Sequence, residues 1–298
     1  MEEQYLYKVS AVHASDLEDE DVWECCLCSN YDEDVIPKGG FITTVEIART
    51  FNQVRDAATE EELYTPLKKI TKYAISFAGT EEAQTAFLKD ILQMKGMQTL
   101  LNATTSKIDD AAAVLMSVKA IRSLIGSRDD ILDDWEQKRS ELSDTRASLI
   151  GQFLKGNGIE TFTRAFGLHA LKYDPYDDDT QMTLYRTDLR FKIMDVLYIT
   201  IPRTSTETAA KLVRFWCRVI PKMLPPNDTA NEQVMEQAFL CVLKTLEHKG
   251  IQKQLSKSDV LEIVSVSVLA EKSCSPKSTR VTAAIRSVWS WAGAFSPM

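Results

Sequence analysis

The sequence predicts an all-α protein, an irregular stack of helices, and three observations carry that prediction. From Thr43 onward, apolar residues recur at intervals of three and four, the period of an amphipathic helix. Several of these stretches open on a capping residue and close at glycine or proline. A similar phrase ends three of them: Leu92-Gln-Met-Lys-Gly96-Met, Leu154-Lys-Gly-Asn-Gly158-Ile and Leu246-Glu-His-Lys-Gly250-Ile. In each, a glycine stops one helix and an apolar residue opens the next, which is how stacked-helix proteins are punctuated.

Residues 1–42 stand apart as an acidic N-terminal arm. Asp16-Leu-Glu-Asp-Glu-Asp21 and Asp32-Glu-Asp34 are charge runs, Pro37-Lys-Gly-Gly40 is a stop, and no helical period crosses them. Tyr5, Tyr7, Val9 and Val12 alternate, and Val22-Trp23 forms an apolar island, so the arm reads as extended chain with short docking points. A flexible acidic tail is the alternative.

A helical-repeat subdomain is expected over residues 43–223. Val45, Ile47, Ala48, Phe51 and Val54 fit one helix behind Thr43 or Thr44 as N-cap. Thr59-Glu-Glu-Glu62 is a capping box for the next, whose stripe is Leu63, Leu67, Ile70, Ala74 and Phe77 despite Pro66 in its first turns. Thr80 opens a third helix, ended by Gly96, and Met97, Leu100 and Leu101 make a short fourth. Asp109-Asp110 caps a helix running to Ile125 in which only Lys119 and Arg122 carry charge, so most of its circumference should be buried. Asp129-Asp130 caps a helix with Ile131, Leu132 and Trp135. Leu149, Ile150 and Phe153 lead to Gly156 or Gly158, and Ile159, Phe162, Phe166 and Leu168 follow. Tyr173 to Asp179 is a proline-bearing acidic loop that must be exposed. Leu189 to Ile199 and Thr204 to Ile220 are two more helices, the second stopped by Pro221.

Leu224-Pro-Pro-Asn-Asp-Thr is the clearest break, and a C-terminal subdomain over 224–298 is expected to continue the stack. Val234, Ala238, Phe239, Val242 and Leu246 lead to Gly250; apolar runs from Ile263 and from Val281 complete the chain. Ile263-Val-Ser-Val-Ser-Val268 alternates as a strand would, but its neighbours are helical in pattern and it is assigned to a helix. Twelve to fifteen helices and no convincing strand pair result.

Composition narrows the class. Apolar residues make up 44% and charged residues 26% of 298, enough for a large core and against disorder throughout. No apolar run reaches membrane-spanning length, and Met-Glu-Glu-Gln-Tyr does not start as a secretory signal does, so no membrane insertion and an intracellular place, cytoplasmic or nuclear, are expected. Charge is polarised: residues 1–60 hold 14 acids against 4 Lys or Arg, net −10, whereas residues 181–298 hold 10 against 16, net +6. Such asymmetry points to an anionic partner for the tail or to self-association through the acidic arm.

Known chemical signatures do not surface. Cys25, Cys26 and Cys28 form one cluster with no second pair, against the spacing of a structural zinc, while Cys217, Cys241 and Cys274 lie in apolar stretches as small core residues. Pro37-Lys-Gly-Gly and Lys155-Gly-Asn-Gly match no phosphate-binding fingerprint, and three scattered histidines give no triad. Asp109-Asp110, Asp129-Asp130 and Asp133-Asp134 sit at helix starts, where anions are favoured by the exposed N–H groups, so capping explains them better than acid-base chemistry. Neither enzyme nor cofactor is expected.

Gly96-Met97, Gly158-Ile159 and Gly250-Ile251, with the helices after them, resemble the armadillo and HEAT-like repeat families. The armadillo-like regulatory regions of formins are a distant analogy. The resemblance implies a right-handed superhelix whose groove binds a peptide or protein. Spacings of 62 and 92 residues between the glycines are not multiples of the roughly 42 residues such units occupy, so the array is irregular.

The expected function is therefore an interaction scaffold or adaptor. Arg186 and Arg190, beside the acidic loop, and Lys253, Lys257, Lys272, Lys277, Arg280 and Arg286 are the expected contacts to a partner with an acidic surface. Trp289 and Trp291, two positions apart, face different sides of one helix; one of them either meets a partner or both close the end of the stack. The same basic set with its aromatics suits a nucleic-acid backbone, the alternative reading, although the acidic total of −8 opposes it.

Overall fold

A computed structural model of the protein describes residues 6–8, 41–77, 80–126, 140–171, 180–223, 229–273 and 279–294. Among these residues the fold is all-α, with twelve α-helices and one pair of three-residue strands. The chain forms two compact units, Met1–Thr161 with Asp178–Tyr185, and Phe162–Asp177 with Arg186–Met298. The sequence break at 224–228, the cysteine cluster, both acidic runs of the arm, the helix around Trp135 and the loop at 173–179 lie outside the described residues.

The first unit opens with strands β1 (Leu6–Lys8) and β2 (Phe41–Thr43), antiparallel, with Tyr7 opposite Ile42. Sequence reading expected no strand pair, because three residues are too few for an alternation to register. Helix α1 (Thr44–Asp56) follows directly, and the Thr43 hydroxyl accepts from the Glu46 N–H at 3.2 Å. The capping box ahead of α2 (Glu60–Phe77) is formed as expected: Glu62 N–H donates to the Thr59 hydroxyl, and Thr59 N–H to the Glu62 carboxylate, both at 3.3 Å. Thr80 caps α3 (Glu81–Gln93), and only two residues separate it from α4 (Gly96–Ser106).

Asp110 caps α5 (Ala111–Ile125), whose ten buried residues bear out the expectation of a helix enclosed by neighbours; it packs on α2 and α4. Ser140 caps α6 (Glu141–Lys155), which lies against α3, α4 and α5, and α7 (Gly158–Ala165) follows. Stacked rings of Phe77 and Phe87, 4.7 Å between centroids, join α2 to α3 in this core.

In the second unit the chain passes from α7 into a π-helical turn, Phe166–Ala170. Helix α8 (Thr180–Thr200) contributes its residues from Arg186, and α9 (Thr206–Val219) and α10 (Thr229–Leu246) pack together. Helices α11 (Lys257–Ser273) and α12 (Thr279–Gly293) close the fold. The β-branched run at 263–268 is helical, as assigned; Ser265 and Ser267 turn their hydroxyls back to the Leu261 and Ile263 carbonyls at 2.8 Å. Phe166 and Phe215 meet the fully buried Trp216 edge to face at the centre of this unit. No helix among the described residues is long and apolar enough to cross a membrane.

Candidate functional site

The glycine phrases are joints between helices, and two of the three share one geometry. After α3, Lys95 adopts a left-handed conformation at φ 55°; after α6, Asn157 does so at φ 60°. Each donates its N–H to the carbonyl three residues back, Leu92 and Leu154 respectively. The glycine that follows opens the next helix so close to the last that a side chain has no room. A Cβ on Gly96 would lie 2.8 Å from Ile91, and one on Gly158 2.4 Å from the Phe153 ring, in both cases the residue five positions earlier. The second joint also rests on the first hairpin: a Cβ on Gly156 would meet Leu101 of α4 at 2.7 Å, and the Gln152 side chain donates to the Leu92 carbonyl at 3.2 Å. The third phrase differs. There Gly250 itself is left-handed, at φ 83°, and a 3₁₀ turn, Ile251–Lys253, follows.

The expected contact residues separate on inspection. Lys253, Lys257, Lys272, Arg280 and Arg286 are all exposed on the second unit, whereas Lys277 lies outside the described residues and nothing is described of the Arg186 side chain. Paired exposed cations stabilise a fold by about 0–1 kcal/mol, and these five make no ion pair with another described residue. Arg190 departs from its expected role. It is 7% exposed, and its Nε donates to the Ala170 carbonyl at the end of the π turn, so burial holds it inside the fold and away from a partner. Trp289 and Trp291 are both half-buried. At about 100° per residue they fall on opposite flanks of the stripe Val281, Ala284, Ile285 and Val288.

A feature that the sequence reading passed over lies on α11. Its inner side, Ile263, Val266 and Ala270, is buried, yet Leu261 on its outer side is 68% exposed and Leu269 47%. Val264 and Val268 border them half-buried, and Lys257 and Lys272 lie on the same outer side near its two ends. In sequence the run from Ile263 alternates as a strand would and was assigned to a helix from its neighbours, so its outer stripe was hidden in a run apolar nearly throughout.

The start of α11 is fixed by a clamp. Ser256 and Asp259 form a reciprocal capping box, with Ser256 N–H to the Asp259 carboxylate at 2.8 Å and Asp259 N–H to the Ser256 hydroxyl at 3.1 Å. Arg214 of α9 grips the same carboxylate with Nε at 2.9 Å and Nη2 at 3.1 Å, and the same Nη2 also donates to the Gln254 carbonyl at 3.4 Å. The Arg214 guanidinium, with help from Ser256, holds the Asp259 carboxyl down at about 2.

No three of His, Cys, Asp and Glu among the described residues stand close enough to hold a metal ion. Cys217 and Cys241 are buried, as expected, and desolvation, with Glu262 and Asp259 adding to it, pushes the Cys217 thiol up to about 12. Compared with known proteins, the chain matches no protein family, no curated protein and no solved structure.

Proposed function

We propose that the protein is a non-enzymatic interaction scaffold, an irregular armadillo- or HEAT-like right-handed stack whose basic surface on the second unit binds a protein or peptide with an acidic surface. The observation that carries this reading is the outer side of α11, where exposed leucines lie with lysines near both ends of the helix. Exposed apolar surface rimmed by charge is characteristic of recognition sites; Glu262 is exposed on the same helix, and the exposed Lys253, Arg280 and Arg286 of this unit add to its cations. The repeat reading draws on the two joints, which use one backbone solution 62 residues apart, with the second hairpin resting on the first. The half-buried state of Trp289 and Trp291 favours a protein partner over a nucleic acid, because a stacking platform for bases needs exposed rings.

The test is affinity capture with the full chain. Retention of a partner should weaken strongly as salt rises, since the contact is electrostatic at a solvated surface. It should be lost with Lys253→Glu, Lys257→Glu and Arg280→Glu together, at unchanged melting temperature. A partner set that ignores both the salt and the reversal overturns the assignment. A shift of labelled single-stranded RNA by the wild-type chain, abolished by the same reversal, would move the function to nucleic-acid binding.

A further inference from the structure

We propose that Asn157, at the joint between α6 and α7, is a site of self-modification: the backbone nitrogen of Gly158 attacks its side-chain amide, and the residue ends as aspartate or isoaspartate without an enzyme. Asparagine is among the thermolabile residues. The chain has six, and Asn157 alone is followed by glycine, the neighbour with no side chain to obstruct that attack. Both reacting groups are uncommitted. Asn157 is exposed, and its amide makes no hydrogen bond with another described residue. Gly158 is buried, with its α-carbon against Phe153, but its N–H stands at the first position of α7, where a helix offers no carbonyl to accept it.

The gap from the amide carbon Cγ to that nitrogen is governed by two rotations, about the Cα–Cβ and Cα–C bonds of Asn157, so its left-handed φ of 60° is free to stay as it is. One hydrogen bond resists the second rotation, from the Thr161 N–H to the Asn157 carbonyl at 3.0 Å. It belongs to the end turn of a helix, where local opening costs least. Lys95 takes the same left-handed place at the first joint, which exempts that joint from the reaction.

Chain and water supply every atom. The Gly158 N–H gives its proton to hydroxide, the nitrogen bonds to Cγ, and the Cγ–Nδ2 bond breaks with release of ammonia, leaving a five-membered imide. Water then opens the ring at either carbonyl. Opening at Cγ restores the main chain and leaves a carboxylate at the start of α7, where anions are favoured. Opening at the main-chain carbon routes the chain through Cβ and Cγ as isoaspartate, one methylene longer directly before Gly158. The joint has no room for that shift: a Cβ on Gly158 would already lie 2.4 Å from the Phe153 ring, and one on Gly156 2.7 Å from Leu101. The isoaspartate form should therefore hold α7 less firmly than the parent.

Mass spectrometry tests this on the folded full chain, held at mildly alkaline pH in heavy-oxygen water and then digested in ordinary water. Cleavage after Lys155 and Arg164 isolates residues 156–164. That peptide should convert within about tenfold of the rate of the same synthetic peptide free in solution, carry one solvent oxygen, and become a substrate for an isoaspartate-specific methyltransferase. The other five asparagines should persist at least tenfold longer. Asn157→Lys, which borrows the residue of the first joint, should fold and stay unmodified, and the fraction of wild type enriched in isoaspartate should melt below fresh protein. A slower conversion in the folded chain, a product without solvent oxygen, or an isoaspartate fraction as stable as fresh protein overturns the proposal.

Discussion

A methyl group at position 158 would sit 2.4 Å from the Phe153 ring, which makes this glycine a packing requirement. Gly158→Ala should cost about 1–3 kcal/mol, the usual range for overfilling a packed site. Gly151, inside α6 with nothing near its Cβ position, should respond oppositely, Ala there stabilising by about 0.4–1 kcal/mol. Urea midpoints of the two variants, on either side of wild type, check the contrast. At Asp259, a carboxyl held at about 2 against 3.8 when free contributes stability above about pH 4, lost as acid titrates it toward 2. Because the Arg214 side chain is 45% exposed, the contribution is discounted to about 1 kcal/mol. Asp259→Asn should flatten that part of the acid-unfolding profile and leave the neutral side parallel to wild type. Only part of this was legible in the sequence. Ser256 and Asp259 are three apart and could have been read as a cap, but Arg214 lies 45 residues upstream and nothing local announces it. Arg190 read as a surface cation for the same reason: its acceptor, the Ala170 carbonyl, is supplied by a turn twenty residues away.

Single elements were legible where the decisive interactions are local. The caps at Thr43, Thr59 and Thr80 lie within four residues of the groups they satisfy, and the enclosure of α5 followed from its near lack of charge. Elements that depend on backbone irregularity were not. The π turn at Phe166–Ala170 leaves no periodic trace, and the left-handed residue of the first joint is a lysine, a residue type that does not advertise that conformation. Lys95→Gly tests the joint as an element. Left-handed backbone costs a non-glycine residue about 1–2 kcal/mol, and glycine gives back about 0.5–1 in lost chain entropy. The variant should therefore be stabilised by roughly 0.5 kcal/mol from those two terms, read as a higher melting temperature. A destabilised Lys95→Gly would mean that the lysine side chain holds the joint by contacts of its own.

Across the whole molecule, the polarity of charge is the property that the sequence stated most plainly, −10 over the first sixty residues and +6 over the last 118. What it could not state is how that charge is displayed. Among the described residues, the cations expected as contacts divide into an exposed set on α11, α12 and the turn before them, and a buried Arg190, and folding alone makes that division. The expected joint at Leu224 was read from composition, whereas the two compact units exchange at Thr161 and Phe162, inside α7, where helical periodicity continues without a break. The twin joints carry a last consequence. Ile91 corresponds to Phe153, Lys95 to Asn157, Gly96 to Gly158 and Met97 to Ile159, so one chain holds two solutions to the same corner. Where both copies keep glycine, geometry permits no choice; where lysine answers asparagine, it does. A library randomised at one corner can thus be judged against the other, and the protein serves as its own reference sequence.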